Sequence, residues 1–127
     1  MMNKASAIKT LLIALIALFA PAKPMLLATL AMVFLDLFTG LLAARKRGEQ
    51  ITSGGLKRTI VKMFVYEIAL LIAYIVSRYM EMPFMPIDKI VSSFIGITEM
   101  KSVFENVDEI SGGDLLKNLI NKLSNYE

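Results

Sequence analysis

The side chains best suited to chemistry are acidic residues within apolar stretches, namely Asp36, Glu67 and Glu99. The 127 residues contain no cysteine and no histidine, which excludes a thiol nucleophile, a disulfide, an imidazole base and a typical zinc site. Glu105 and Glu109 form a pair of carboxylates, but nothing in the sequence builds a dry pocket around them. The sequence therefore predicts no enzyme, no cofactor and no metal site.

Basic residues are concentrated in one segment between two apolar stretches. Residues 45–62 carry six lysines and arginines against Glu49 alone, in a chain of net charge +3. Under the positive-inside rule this pattern indicates a cytoplasmic loop, expected at 45–58, whose side chains lie against anionic headgroups. The segment lacks the phosphate-loop pattern and has no aromatic side chains for base stacking, so no nucleic-acid partner is expected. The residues assigned to this basic region are Arg45, Lys46, Arg47, Ser53, Gly54, Gly55, Lys57, Arg58 and Lys62.

The elements that position these residues are predicted to be membrane helices. Hydrophobic residues make up 56% of the chain and the mean hydropathy is +0.61, more than a soluble domain of this size can bury. Residues 25–44 are long enough as a helix to cross the hydrocarbon, which is about 30 Å thick. A second apolar run covers 59–80, and Glu67 is expected at headgroup depth near its cytoplasmic end, paired with a basic-loop residue such as Lys62.

The first apolar run is shorter and allows two interpretations. Between Lys9 and Lys23 it spans roughly 20 Å as a helix, so it crosses only if Lys9 snorkels. Pro21 and Pro24 then lie in a tight connection to the next helix. We expect a retained membrane helix; a cleaved signal peptide ending near Ala20 is the alternative.

The stretch 87–110 has a polar stripe along a helix. Six residues fall within an arc of roughly 140°, and apolar side chains occupy most of the opposite side; the six are Ser92, Gly96, Glu99, Ser102, Asn106 and Glu109. In a bilayer such a helix lies at the interface, faces other polar helices or lines water, and the pattern alone leaves these open. The stripe that a pore would use consists of Ser92, Gly96, Glu99, Ser102, Glu105, Asn106 and Glu109.

Small residues flank Asp36 on one helical face. Steps of four residues place Ala28, Asp36, Gly40 and Ala44 together, and faces of this kind let helix backbones approach closely. The face is predicted to mediate self-association. The competing interpretation is a protonated Asp36 that hydrogen-bonds within its own bundle, for example to Thr39.

These features together predict one all-α integral membrane domain, residues 1–127. It would have three to four short transmembrane or interfacial helices and a short C-terminal amphipathic helix, which follows Gly112-Gly113 and is capped by Asp114. The expected helices cover about 5–22, 25–44, 56–80, 87–110 and 114–125. Two, three or four membrane crossings are compatible with the sequence.

Four motifs carry a resemblance to a known family. A D-x-x-T-G element at 36–40 precedes Ala-Arg-Lys-Arg-Gly at 44–48, and Ser-Gly-Gly at 53–55 leads into the next span through Lys62. An E-x-x-S-V-x-E-N element follows at 99–106. Over roughly residues 26–106 the chain resembles the phage holin family that includes the clostridial toxin-release holins.

The resemblance implies a multi-pass protein of the bacterial inner membrane that assembles from many copies into lesions. Such lesions would collapse the membrane potential and release an endolysin or a toxin, and direct contact with the endolysin would not be necessary. The alternatives are a small ion channel or transporter subunit with Asp36 and Glu67 as ion sites, and a structural membrane anchor.

Overall fold

The computed structural model describes residues 3–80 and 84–125 and is all-helical over these ranges. This confirms the predicted all-α class. A 3-10 turn at Ala20–Ala22 lies between the first two helices. The helices are α1 (Lys4–Phe19), α2 (Lys23–Lys46), α3 (Ser53–Tyr79), α4 (Ile87–Ser111) and α5 (Leu115–Ser124).

Local sequence explains where several helices begin and end. The Thr52 hydroxyl accepts a hydrogen bond from the Gly55 amide at 3.3 Å and caps the start of α3. Gly112 ends α4 with a φ of +103°, a conformation that favours glycine. Asp114 precedes α5 but makes no capping hydrogen bond; instead Asp108 Oδ1 accepts from the Leu116 amide at 2.9 Å. The cap predicted for Asp114 is therefore supplied from α4.

Two stretches within the described ranges are long and apolar enough to cross a membrane, judged by length and composition. They are Lys4–Lys46, which contains α1, the 3-10 turn and α2, and Ser53–Tyr79, which is α3. The first would measure about 65 Å as one helix, roughly twice the hydrocarbon thickness. The turn that contains Pro21 divides it, and Pro24 lies in the first turn of α2, where a missing amide hydrogen is tolerated.

Helices α2, α3 and α4 pack into a bundle, with α4 against both α2 and α3. Its interior is small: Val33, Ala43, Leu70 and Ile95 are buried. Helix α1 has no buried residue in the described structure and meets the bundle at its C-terminal end. There the Tyr74 hydroxyl donates to a backbone carbonyl of α1 at 3.3 Å.

Most large apolar side chains lie on the outside of the bundle, on α1, α2, α3 and α4 alike. Phe38, Phe64 and Phe94 are all exposed, and Phe94 is 75% exposed. Soluble monomers rarely present apolar surface on every side, whereas a lipid environment places such side chains favourably. The outer surface is therefore suited to contact with hydrocarbon.

Candidate functional site

Three charged side chains meet inside the bundle, one each from α2, α3 and α4. Lys62 Nζ on α3 lies 2.7 Å from Asp36 Oδ2 on α2 and 2.8 Å from Glu99 Oε2 on α4. Their side chains are 29%, 15% and 2% exposed, respectively. One ammonium group therefore joins all three helices.

Neutral donors complete the hydrogen bonding of both carboxylates. The Tyr66 hydroxyl donates to Glu99 Oε1 at 2.9 Å, and Asn106 Nδ2 lies 3.3 Å from Asp36 Oδ1 and 3.2 Å from Thr39 Oγ1. All four carboxylate oxygens thus accept a hydrogen bond, as ionised carboxylates do. We call Asp36, Lys62, Tyr66, Glu99 and Asn106 the polar cluster; its formal charge is −1.

Helical spacing brings these residues to facing surfaces. Lys62 and Tyr66 are four residues apart on α3, and Glu99 and Asn106 are seven apart on α4, so each pair shares a face. Gly40 lies one turn after Asp36, where an added Cβ would be 3.5 Å from Asn106 Nδ2. The absence of a side chain at Gly40 therefore gives the Asn106 amide room against α2.

A second set of polar contacts joins the C-terminal ends of α2 and α4. Lys46 Nζ donates to the Glu109 carbonyl at 2.8 Å and to the Ile110 carbonyl at 3.0 Å, which satisfies acceptors that the end of a helix leaves free. Arg47 Nη1 contacts both Glu109 carboxylate oxygens at 2.7 Å, and Arg47 also pairs with Glu49. We call Lys46, Arg47 and Glu109 the end clamp.

Electrostatic shifts follow from the arginine in this clamp. Hydrogen bonds from the Arg47 guanidinium hold the pKa of Glu49 below its ordinary value. The same bonds, to Glu49 and Glu109, raise the pKa of Arg47 further above its ordinary value.

A third polar contact of α4 lies at the opposite end of the bundle, where the Ser77 hydroxyl donates to Asp88 Oδ1 at 2.7 Å. Helix α4 is therefore held by polar contacts at three levels.

The residues predicted as a self-association face lie towards α4 of the same chain. Asp36 and Gly40 contact or closely approach Asn106, and Ala44 lines a cavity beside them. Ala28 lines a shallow groove with residues of α4. This face of α2 therefore lies against α4 of the same chain.

Most of the predicted polar stripe of α4 also turns inward. Glu99 and Asn106 belong to the polar cluster, Glu109 belongs to the end clamp, and Ser102 lines a cavity beside Asp36. Ser92 and Gly96 line the groove that contains Ala28. Glu105 points outward instead; its side chain is 60% exposed and lies 3.6 Å from Lys101.

The basic region is divided among different surroundings. The connection between α2 and α3 is residues 47–52, shorter than the predicted loop, because α2 continues to Lys46 and α3 begins at Ser53. Lys46 and Arg47 make the end clamp, and Lys62 lies in the bundle. Gly55 is half-buried. The remaining members are exposed, namely Arg45, Ser53, Gly54, Lys57 and Arg58.

The predicted pairing of Glu67 with Lys62 is wrong. A separation of five residues turns Glu67 roughly 140° around α3 from Lys62, so the two side chains face different neighbours. Lys62 binds Asp36 and Glu99, whereas Glu67 Oε1 is buried with no hydrogen-bond partner among the described residues. The role of Tyr66 was missed; its position one turn after Lys62 on an apolar helix is the signal that could have indicated it.

A bundle with an apolar outer surface, a polar cluster inside and two helical stretches able to cross a bilayer defines an all-α membrane protein. The chain belongs to the bacteriophage holin family, which it matches over residues 8–127. No curated protein and no solved structure matches the chain. The family assignment confirms the resemblance drawn from the sequence motifs and supports an inner-membrane protein of a non-enzymatic family.

The described residues contain no group of three potential metal ligands.

Proposed function

We propose that the chain is a holin that assembles from many copies in the bacterial inner membrane and forms lesions for timed lysis. The observation that carries this proposal is the family match over nearly the whole chain. The apolar outer surface and the two candidate spans support a membrane location. One chain of short helices cannot enclose a passage for a folded endolysin, so many copies are required.

We propose that α4 is also embedded in the membrane, which makes the protein multi-pass. Its 25 residues would span about 37 Å as a helix, enough to cross the hydrocarbon. Ile90, Phe94 and Ile97 lie exposed on its outer side, while Glu99 and Asn106 face α2 and α3. A low hydropathy is compatible with this location because the polar side chains hydrogen-bond inside the bundle.

The polar cluster closes the dormant form in this proposal. A lumen lined by the polar stripe of α4 requires Glu99 to leave Lys62 and Asn106 to leave Asp36, so α4 separates from α2 when copies assemble. Water and neighbouring copies then form hydrogen bonds with the polar side chains that were bonded to one another in the bundle. Dormancy is thus a property of the folded single chain.

Expression of the chain alone in a bacterial host tests the proposed function. We expect growth arrest and loss of membrane potential, followed by lysis when an endolysin without its own export signal is co-expressed. The endolysin alone is the control. Lysis that needs a second phage membrane protein would make the chain an accessory, and a non-toxic product would favour a membrane anchor.

Efflux from liposomes that contain the purified chain measures the lesion directly. We expect release of a folded protein of endolysin size as well as a small dye. Discrete, ion-selective conductance with full retention of protein cargo would contradict the proposal and favour a small channel.

A covalent lock between α2 and α4 tests the separation step. Because a Cβ at residue 40 would lie 3.5 Å from the Asn106 amide nitrogen, Gly40→Cys with Asn106→Cys can be joined by an oxidant or a short thiol reagent. The natural sequence has no cysteine, so no other thiol competes. We expect the lock to prevent efflux and a reductant to restore it. The matched control pairs Phe38→Cys with Phe94→Cys, two outward positions. Full efflux from a fully locked protein would refute the separation of α4.

A further inference from the structure

Helix α5 has an apolar side that the bundle leaves largely uncovered in the described structure. The helix contacts α4 through its first turn, where Leu115 and Leu116 are half-buried and the Leu116 amide donates to Asp108 Oδ1 at 2.9 Å. The three apolar side chains that follow are 46%, 63% and 72% exposed, namely Leu119, Ile120 and Leu123. At 100° per residue all the leucines and the isoleucine of α5 fall within an arc of roughly 140°. One side of α5 is therefore apolar along its length.

A short helix with such a side is not stable in water by itself. Isolated helices of fewer than about 12–15 residues are marginal, and in proteins most of their stability comes from burial of an apolar face. Helix α5 has 10 residues, and residues 117–124 are all exposed. The apolar side beyond the first turn therefore needs a surface that covers it.

The position of α5 in the fold indicates which surface this is. The end clamp holds the C-terminal end of α4 against the C-terminal end of α2, where the basic region begins. Under the positive-inside rule this end of the bundle is cytoplasmic. Residues 112–114 connect α4 to α5, and three residues span at most about 11 Å. With the bundle in a membrane, α5 thus lies within reach of the cytoplasmic headgroups.

Positive side chains border the apolar side of α5. Lys117 and Lys122 lie beyond opposite edges of the apolar arc, both are exposed, and α5 contains no acidic residue. The nearby carboxylates of Glu49 and Glu109 are paired with Arg47. Further basic residues are exposed at the same end of the bundle, namely Arg45, Lys57 and Arg58. The charge of this surface is complementary to an anionic leaflet.

We propose that the apolar side of α5 lies in the cytoplasmic headgroup layer of the membrane, with Lys117 and Lys122 on the phosphates of anionic lipids. Lysine is suited to this layer, because its hydrocarbon stem lies along apolar surface while the ammonium group stays in the polar zone. Each basic residue near an anionic leaflet strengthens attachment about fivefold, so the two lysines contribute about thirtyfold. The inference rests on the membrane location in the proposed function and not on lesion formation.

Attachment of α5 fixes the depth of α4 as well. The hydrogen bond from the Leu116 amide to Asp108 ties the first turn of α5 to the last turns of α4. Gly112 and Gly113, with φ of +103° and +85°, turn the chain between the two helices. The C-terminal end of α4 is therefore held at the headgroup layer when α5 lies there.

Fluorophores on single cysteines of the full chain test this placement, since the natural sequence has no cysteine. Leu123→Cys lies on the apolar side of α5, and Asn121→Cys is the matched control roughly 160° around the same turn. The vesicles contain phosphatidylglycerol and phosphatidylcholine. We expect brominated acyl chains to quench the label at residue 123 and aqueous acrylamide to quench the label at residue 121. Equal quenching of the two labels by each quencher would overturn the proposal.

Removal of charge tests the anionic lipid. Lys117→Gln with Lys122→Gln should lower the ratio of lipid-quenched to water-quenched label at residue 123 by up to about thirtyfold. Lys4→Gln with Lys9→Gln removes the same charge from exposed positions on α1 and should leave the ratio unchanged. Vesicles of phosphatidylcholine alone should act like the α5 variant. An unchanged ratio in both the α5 variant and these vesicles would overturn the role of anionic headgroups.

Two further measurements separate lipid from other partners and from the proposed function. The ratio should stay constant as the amount of chain per lipid is lowered; a ratio that falls on dilution would show that a second copy covers α5, and would overturn the proposal. Lipid quenching at residue 123 in a chain that forms no lesion would refute the proposed function and leave α5 at the surface. Lesions formed while this label is quenched from water would leave the function and refute the placement of α5.

Discussion

Replacing Lys62 with methionine removes the single cation that joins three helices. Asp36 and Glu99 then keep their negative charges with no ammonium between them, and their oxygens are at most about 5.5 Å apart, which gives a repulsion of about 3 kcal/mol at an effective dielectric constant near 20. Breaking a buried ion pair by removing one partner typically destabilises a protein by about 3–5 kcal/mol. We expect Lys62→Met to lower the free energy of unfolding by that amount.

Unfolding of the full chain in mixed micelles, followed by circular dichroism, measures the effect. Lys57→Met is the matched control, since Lys57 is exposed on the first turns of α3 and should change stability by less than about 0.5 kcal/mol. Adding Asp36→Asn and Glu99→Gln to Lys62→Met removes the uncompensated charges and should recover most of the loss. In cells Lys62→Met should trigger lysis earlier, because it weakens the dormant bundle. Equal stability of Lys62→Met and Lys57→Met would refute the reasoning.

Three further predictions concern packing, capping and charge. Gly40→Leu should destabilise the bundle, because its side chain must displace the Asn106 amide from α2; unfolding in mixed micelles measures this, and a stability equal to that of the natural chain would contradict it. Thr52→Ala should lower stability by about 1 kcal/mol through loss of the cap on α3, whereas Thr52→Ser should not. The pKa of Glu49 is lowered in the fold, so the stability from its pairing with Arg47 is complete above the unfolded-state pKa and is lost as the pH falls through the folded-state pKa. Carboxyl titration by NMR should show a higher pKa for Glu49 in Arg47→Met, and an unchanged titration would contradict the pairing.

The sequence was sufficient for the features that depend on neighbouring residues. Runs of apolar residues predicted the stretches able to cross a membrane, and the spacing of polar residues on α4 separated an apolar side from a polar one. The four motifs between residues 36 and 106 indicated the family, and the family match over residues 8–127 confirms it. Each of these signals lies within a few helical turns, where a period of about 3.6 residues fixes which side chains share a face.

Only the tertiary structure decided which faces meet. Lys62 is separated by 26 residues from Asp36 and by 37 from Glu99, and no local rule sets the rotation of α3 that brings them together. The sequence assigned Lys62 to Glu67, a neighbour on its own helix, and missed both of its actual partners. Periodicity gives the direction of a side chain relative to its helix axis, whereas the direction relative to other helices depends on packing between them. The ion pairs of α4 and the unpartnered Glu67 Oε1 in the described structure therefore emerge only when the three helices are placed side by side.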